Sequence, residues 1–213
     1  MPITLNGNGT VTGVSVGGLP DGIVDTDMLA ANAVSSAKLA SGAGGKILQV
    51  VTVSDSVRET AGSVSLSSAN TYYDTPFAVT ITPSATSSKI LLMGHVMGEA
   101  SIDDYTMLWR IERAISGGST TNIQAPSASS RPLGISMFPQ GFYNSDNVST
   151  TSVVNFAGLI DTPSTTSAIT YTFQVNATQT NSVTFYYNRT VGATDSIDYE
   201  RGLSWITAQE VAA

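Results

Sequence analysis

From residue 47 onward, apolar side chains recur at every second position in short runs, and clusters of Gly, Pro, Ser, Asn and Asp separate the runs. A period of two is the period of a β-strand, whose successive side chains point to opposite faces. The alternation predicts strands over 47–54, 63–66, 77–82, 89–97, 106–115, 133–138, 153–160, 169–175, 183–188 and 203–211. Tyr171, Phe173 and Val175 mark one clean face, and Val183, Phe185 and Tyr187 mark another. Turn-rich segments at 83–88, 117–132, 139–151, 161–167, 177–182 and 192–198 lie between them. No long helical pattern follows residue 45. Many short strands at regular spacing predict an all-β fold, an antiparallel β-sandwich, and the strand count suits a jelly roll.

Several predicted strands are apolar on both faces, notably Ile90-Leu-Leu-Met93 and Val183-Thr-Phe-Tyr-Tyr187. One face fills a core. The other needs cover, because open sandwiches must protect their surfaces and edges from indiscriminate pairing. Packing of subunits supplies that cover, so a homo-oligomer is expected.

The segment before the hinge Ser41-Gly-Ala-Gly-Gly45 has a different character. Short alternations at Ile3/Leu5, Val11 and Val14/Val16 are broken by Gly7, Gly9, Gly13, Gly17 and Gly18, and Leu19 follows. The glycines forbid a long strand. Gly22–Ala30 then aligns with Asn32–Ala40, so that Val24, Leu29, Val34 and Leu39 recur every five residues. Five matches neither the helical nor the coiled-coil period. Two short helical turns fit better, capped by Asp25 or Thr26 and by Ser35 or Ser36. Two copies of a repeat are too few to stack stably alone. These apolar residues are therefore candidates for docking on a partner. The expected organisation is an extended arm at 1–45 and a β-sandwich head at 46–213.

The chemistry needed for catalysis is sparse. Of 213 residues none is Cys, which excludes thiol chemistry and thiolate metal sites. The single histidine, His95, lies in the apolar run Leu91–Met97 and is expected to be a hydrogen-bonded packing residue. No Gly-x-Ser-x-Gly elbow or phosphate loop accompanies it. The acidic groups Glu99/Asp103/Asp104 and Asp195/Asp198/Glu200 are candidates for a glycosidase pair or a calcium site, and are expected to be solvated loop acids. No enzyme activity, cofactor or metal site is expected. The net charge of −7 argues against nucleic acid. The Met1-Pro-Ile-Thr4 start has no Sec-type pattern, and no apolar run reaches the ~20 residues of a membrane helix, so membrane insertion is not expected. Aromatic residues in turn-rich segments are the one positive hint of binding. Tyr105, Phe142, Tyr143 and Tyr199 are the candidates for surface recognition.

The opening Pro2-Ile-Thr-Leu-Asn-Gly-Asn-Gly-Thr-Val11, the Gly17-Gly-Leu-Pro-Asp-Gly22 stretch and the Ala33-Val-Ser-Ser-Ala-Lys-Leu-Ala40 repeat resemble small fibre-like virion proteins of tailed phages, especially marine and cyanobacterial ones. So do Ile81-Thr-Pro-Ser-Ala-Thr-Ser-Ser-Lys-Ile-Leu91 and Ser204-Trp-Ile-Thr-Ala-Gln-Glu-Val211. The resemblance implies a homotrimer assembled in the host cytoplasm and built into the virion. Its N-terminal segment would attach to other virion proteins, and its β-rich head would project toward a host surface glycan. A capsid decoration or cement protein is the nearest alternative, and a small carbohydrate-binding or carbohydrate-active module is the next.

Overall fold

The structure, a computed structural model, describes residues 4–5, 11–12, 29, 34, 46–102, 107–138, 149, 151–178, 182–192 and 194–213. The chain divides into two units, Met1–Gly45 and Lys46–Ala213. In the first, β1 (Thr4–Leu5) pairs antiparallel with β2 (Val11–Thr12), placing Leu5 opposite Val11.

The second unit runs β3 (Ile47–Thr52), α1 (Asp55–Glu59), β4 (Gly62–Leu66), β5 (Tyr73–Ile81), β6 (Lys89–Ala100), β7 (Met107–Ile115), β8 (Thr120–Ile123), β9 (Ser136–Met137), β10 (Ser152–Asp161), β11 (Ile169–Ala177), β12 (Val183–Tyr187) and β13 (Trp205–Val211). Every pairing is antiparallel, and the long-range pairs are nested. β7 pairs β8, β6 pairs β10, β5 pairs β11, and β3 pairs β13. A long hairpin rolled over on itself produces this nesting, which is the double Greek key of a jelly roll. The two sheets are therefore β3-β13-β6-β10 and β5-β11-β7-β8. β9 joins the same edge of β7 beyond β8, through Leu108–Met137 and Trp109–Ser136.

The first sheet has one irregularity. Gly98 of β6 is opposite Ser152 of β10 and also opposite Tyr187 of β12. β12 therefore lies on the edge of β6 that β13 uses, farther along the strand. β4 pairs with β12 as β3 pairs with β13. In effect one long edge pair is interrupted twice, by α1 on one strand and by residues 188–204 on the other.

Inward-facing residues of both sheets form one core. Leu92, Val96, Val154, Phe185 and Ile206 from the first sheet meet Phe77, Trp109, Ile111, Tyr171 and Phe173 from the second, and all are buried. The Trp109 ring stacks on Phe173 at 5.2 Å and tilts against Phe156 at 5.1 Å. Phe156 fills the space left by Gly94, where a Cβ would lie 2.5 Å from its ring.

The expected β-sandwich is thus the observed fold, and every predicted strand of the head is present. Two local expectations need correction. The segment 117–132, read as turn, contains β8. Gly117 at φ 70 turns the chain, and a Thr-rich edge strand then pairs with β7 without any apolar alternation to announce it. Conversely, the strand expected at 133–138 contracts to Ser136–Met137.

Candidate functional site

The two outer faces of the sandwich differ in chemistry. On the second sheet the outward residues form a polar lattice. Arg110 Nε donates to Gln174 Oε1 (2.6 Å), and Gln174 Nε2 donates to Asp74 Oδ1 (2.7 Å) and Glu112 Oε2 (3.1 Å). The Arg110 guanidinium also lies 3.8 Å over the Tyr72 ring. A face satisfied in this way rests comfortably against water.

The first sheet turns apolar side chains outward. On β6 the residues between the buried Ile90, Leu92, Gly94 and Val96 are Leu91, Met93 and His95, all half-buried. Trp205 stands beside His95 with rings stacked 6.4 Å apart at 14°, and His95 Nδ1 hydrogen-bonds Asn155 Oδ1 at 2.8 Å. Val50 and Ile160 extend the apolar surface at 57% and 62% exposure. A shallow depression of about 340 Å³ lies among Met93, Asn155, Phe156 and Trp205. His95 thus packs as expected, and among the described residues it hydrogen-bonds neither a serine nor a carboxylate.

The other end of this face is covered by the excursion between β12 and β13. Its base is fixed by Asn188, which is buried and held at φ 58. Asn188 Nδ2 donates to Arg58 O and Thr60 O, both at 2.8 Å, and its Oδ1 accepts from Ser204 Oγ. Ser204 Oγ in turn accepts from Met97 N at 3.0 Å. An asparagine tolerates the left-handed region that most residues avoid, and here its side chain ties the stem to both interruptions of the edge pair. Met97 is buried beneath Gly202, where a Cβ would fall 2.0 Å from its sulfur.

Above that base, Arg189 and Arg201 form an isolated antiparallel bridge. The backbone bonds flank the pair: Thr190 N donates to Glu200 O (3.3 Å) and Gly202 N to Asn188 O (3.2 Å). The arginines therefore occupy a non-hydrogen-bonded position, where facing side chains are closest. Arg189 sits 4.5 Å over the Tyr186 ring. A cleft of about 240 Å³ is lined by both arginines together with Thr190, Asp195, Tyr199 and Glu200. Tyr199 lies against Gly192, where a Cβ would come within 2.3 Å of its ring.

The sequence-derived candidates fall unevenly. Tyr199 lines the cleft and is half-buried. Tyr105, Phe142 and Tyr143 lie outside the described residues. Of the arm residues, Leu5 and Val11 are register partners in β1 and β2, and Leu29 and Val34 are exposed at 45% and 49%. Ile3, Val14, Val16, Leu19, Val24 and Leu39 lie outside the described residues, as do Asp103 and Asp104. Glu99 is not a solvated loop acid. It belongs to β6, is buried, and accepts from Val191 N at 2.8 Å, which ties the excursion down. Asp195, Asp198 and Glu200 are exposed, as expected. Among the described residues no three His, Asp or Glu side chains gather in a way that could hold a metal ion.

Sequence reasoning missed Arg189, Arg201, Asn188 and Glu210. Glu210 is fully buried at the core end of β13. Its Oε1 accepts from Ser84 N (2.7 Å), Ser84 Oγ (2.7 Å) and Ser88 Oγ (2.6 Å), and its Oε2 from Gln49 Nε2 (2.6 Å). Burial pushes its carboxyl up, but the donated bonds from Ser88, Ser84 and Gln49 outweigh burial and bring it down to about 2. The two arginines carried no spacing motif, since only the pairing of the excursion on itself makes them neighbours.

No protein-family model and no curated protein sequence matches the chain. Among solved structures, the structure of infectious bursal disease virus Gt strain is 12% identical, covers 78% of this chain and 38% of its own, and has a TM-score of 0.38. The crystal structure of the infectious bursal disease virus VP2 subviral particle is 14% identical, covers 76% and 40% respectively, and has a TM-score of 0.33. The chain spans about two-fifths of the length of these structures.

Proposed function

We propose that this chain is a non-enzymatic structural protein of a virus particle, a fibre-like component of a tailed phage that assembles as a homotrimer in the host cytoplasm. Residues 1–45 attach it to other virion proteins, and the jelly-roll head meets host surface glycans. The observation that carries the assembly part is the unequal chemistry of the two outer faces. The polar lattice around Arg110 is finished as a solvent surface. The patch of Leu91, Met93, Trp205, Val50 and Ile160 is not, and burying it against neighbouring copies removes apolar area from water.

Two measurements test this. Light scattering should find the full chain at three times its 22.1 kDa mass. The V50K/I160K double variant should run as a folded monomer, because both side chains are exposed in the single chain. A monomeric wild type, or a trimer that survives both lysines, refutes the interface. Deleting residues 1–40 should leave a soluble trimer that no longer joins particles, and continued incorporation refutes the anchoring role. Locating the protein in images of intact particles separates the tail from the capsid.

A further inference from the structure

We propose that the cleft between Arg189 and Arg201 binds a carboxylate-bearing saccharide, the acid held by the two guanidinium groups and the sugar ring laid against Tyr199. The proposal rests on the glycan-contact reading above, and it names the site and the ligand class.

The two arginines are the first reason. They face each other at the kind of cross-strand position where Cβ atoms stand only ~4.5–5.5 Å apart and like charges repel. A chain with nine basic residues and a net charge of −7 has placed two of them side by side. Among the described residues neither is in an ion pair, although Asp195 and Glu200 line the same cleft; the ion pairs found are Arg58–Asp55 and Arg113–Asp161, both elsewhere. An arginine pair with no ion-pair partner among the described residues is complementary to an oxyanion, and the planar guanidinium matches the two oxygens of a carboxylate.

The second reason is preorganisation. The bridge is closed by backbone bonds on both sides, Asn188 fixes its base, and Tyr186 holds the Arg189 head. Tyr199 is positioned by contact with Gly192 and offers an aromatic surface at the cleft wall. Little side-chain freedom of Arg189 and Tyr199 is then lost on binding.

The rest of the lining selects the class of ligand. Asp195 and Glu200 border the same cleft. They accept hydrogen bonds from hydroxyl groups. A ligand with one acidic group and several hydroxyls on each ring satisfies both ends, which describes a uronic-acid type of sugar. A free anion uses only the arginines.

Isothermal titration of the full chain with tri-galacturonate tests the site, with galactotriose and acetate as the neutral and the ring-less probes. Tri-galacturonate is expected to bind, to weaken as NaCl is raised, and to exceed acetate by about tenfold, while galactotriose gives no heat. Each of R189Q and R201Q should weaken binding about tenfold, the loss of one charge-assisted hydrogen bond of ~1.4 kcal/mol. Y199A should weaken tri-galacturonate and leave acetate unchanged. Absence of tri-galacturonate binding overturns the proposal. So does equal binding of galactotriose or acetate, or undiminished binding in R189Q/R201Q. Should the double variant fail to fold, the three-probe comparison and salt dependence on wild type decide alone. The titration uses isolated protein, so it can fail while the protein is still found in particles, and the reverse also holds.

Discussion

Replacing Glu210 by Gln tests the most tightly constrained polar group in the head. The carboxylate sits at 0% exposure with four donated hydrogen bonds and, among the described residues, no ion pair. It pins the turn between β5 and β6 onto β13. Its folded pKa of about 2 lies below the ordinary 4.5, so the ionised form is favoured by folding. At 1.36 kcal/mol per unit, that shift stores about 3 kcal/mol. A depressed pKa gives stability that is complete above the unfolded value and disappears as pH falls through the folded one. The contribution is therefore full above about pH 5 and nearly gone by pH 2. The amide adds a geometric fault. Its NH₂ would face Gln49 Nε2, and turning Gln49 over would aim its oxygen at Thr82 O, which now accepts from Gln49 at 2.6 Å. One hydrogen bond of about 1 kcal/mol is lost whatever the pH. Urea unfolding of wild type and E210Q should differ by about 4 kcal/mol at pH 7 and by about 1 kcal/mol at pH 2. The other carboxylates titrate alike in both proteins and cancel from the comparison. A gap that is the same at both pH values, or none at pH 7, refutes the reasoning.

Other perturbations read other parts of the head. Asn188→Ala removes three hydrogen bonds and leaves an alanine at φ 58; at about 1 kcal/mol for each fault it should cost about 4 kcal/mol, visible as faster amide exchange at Val191 and Gly202. Phe173→Ala empties the centre of the core beside Trp109 and should cost about 3–5 kcal/mol in urea unfolding, with the sandwich retained by far-UV circular dichroism.

Most of the head was legible because strand periodicity and burial are the same signal. Tyr171, Phe173 and Val175 recur at every second position because all three face the core while Thr172 and Gln174 lie on the opposite face, and every predicted strand of the head was found on that basis. β8 escaped because three of its four residues, Thr120, Thr121 and Asn122, are exposed and only Ile123 packs against the core, too little to imprint a pattern. The site was less legible for a related reason. Arg189 and Arg201 become neighbours only through backbone pairing between two stretches that alternate nothing. Glu210 falls on the core side of β13, where the pattern alone calls for an apolar residue; its partners Ser84, Ser88 and Gln49 come from two distant parts of the chain. Long-range polar satisfaction leaves no local trace.

The placement of the excursion bears on how such a head can carry a variable recognition surface. A jelly roll is nested, so a change in one strand disturbs the register of its partner. Here the two interruptions of the edge pair fall at the same level. Arg58 O and Thr60 O, at the α1 break, are bound by Asn188, at the β12 break, and Ser204 N closes the stem onto Arg58 O. Pairing resumes on both sides of this knot: Tyr187 opposite Gly62 before it, Thr207 opposite Thr52 after it. Residues between the stem and Ser204, apart from Gly192 and Gly202, can therefore change in sequence without shifting the strands they interrupt. The arginine cleft sits in that tolerant stretch, while the acid and amide that hold it, Glu99 and Asn188, belong to the rigid sheet and its stem. A binding loop needs this division, with chemistry on the segment free to vary and geometry supplied by the scaffold that is not.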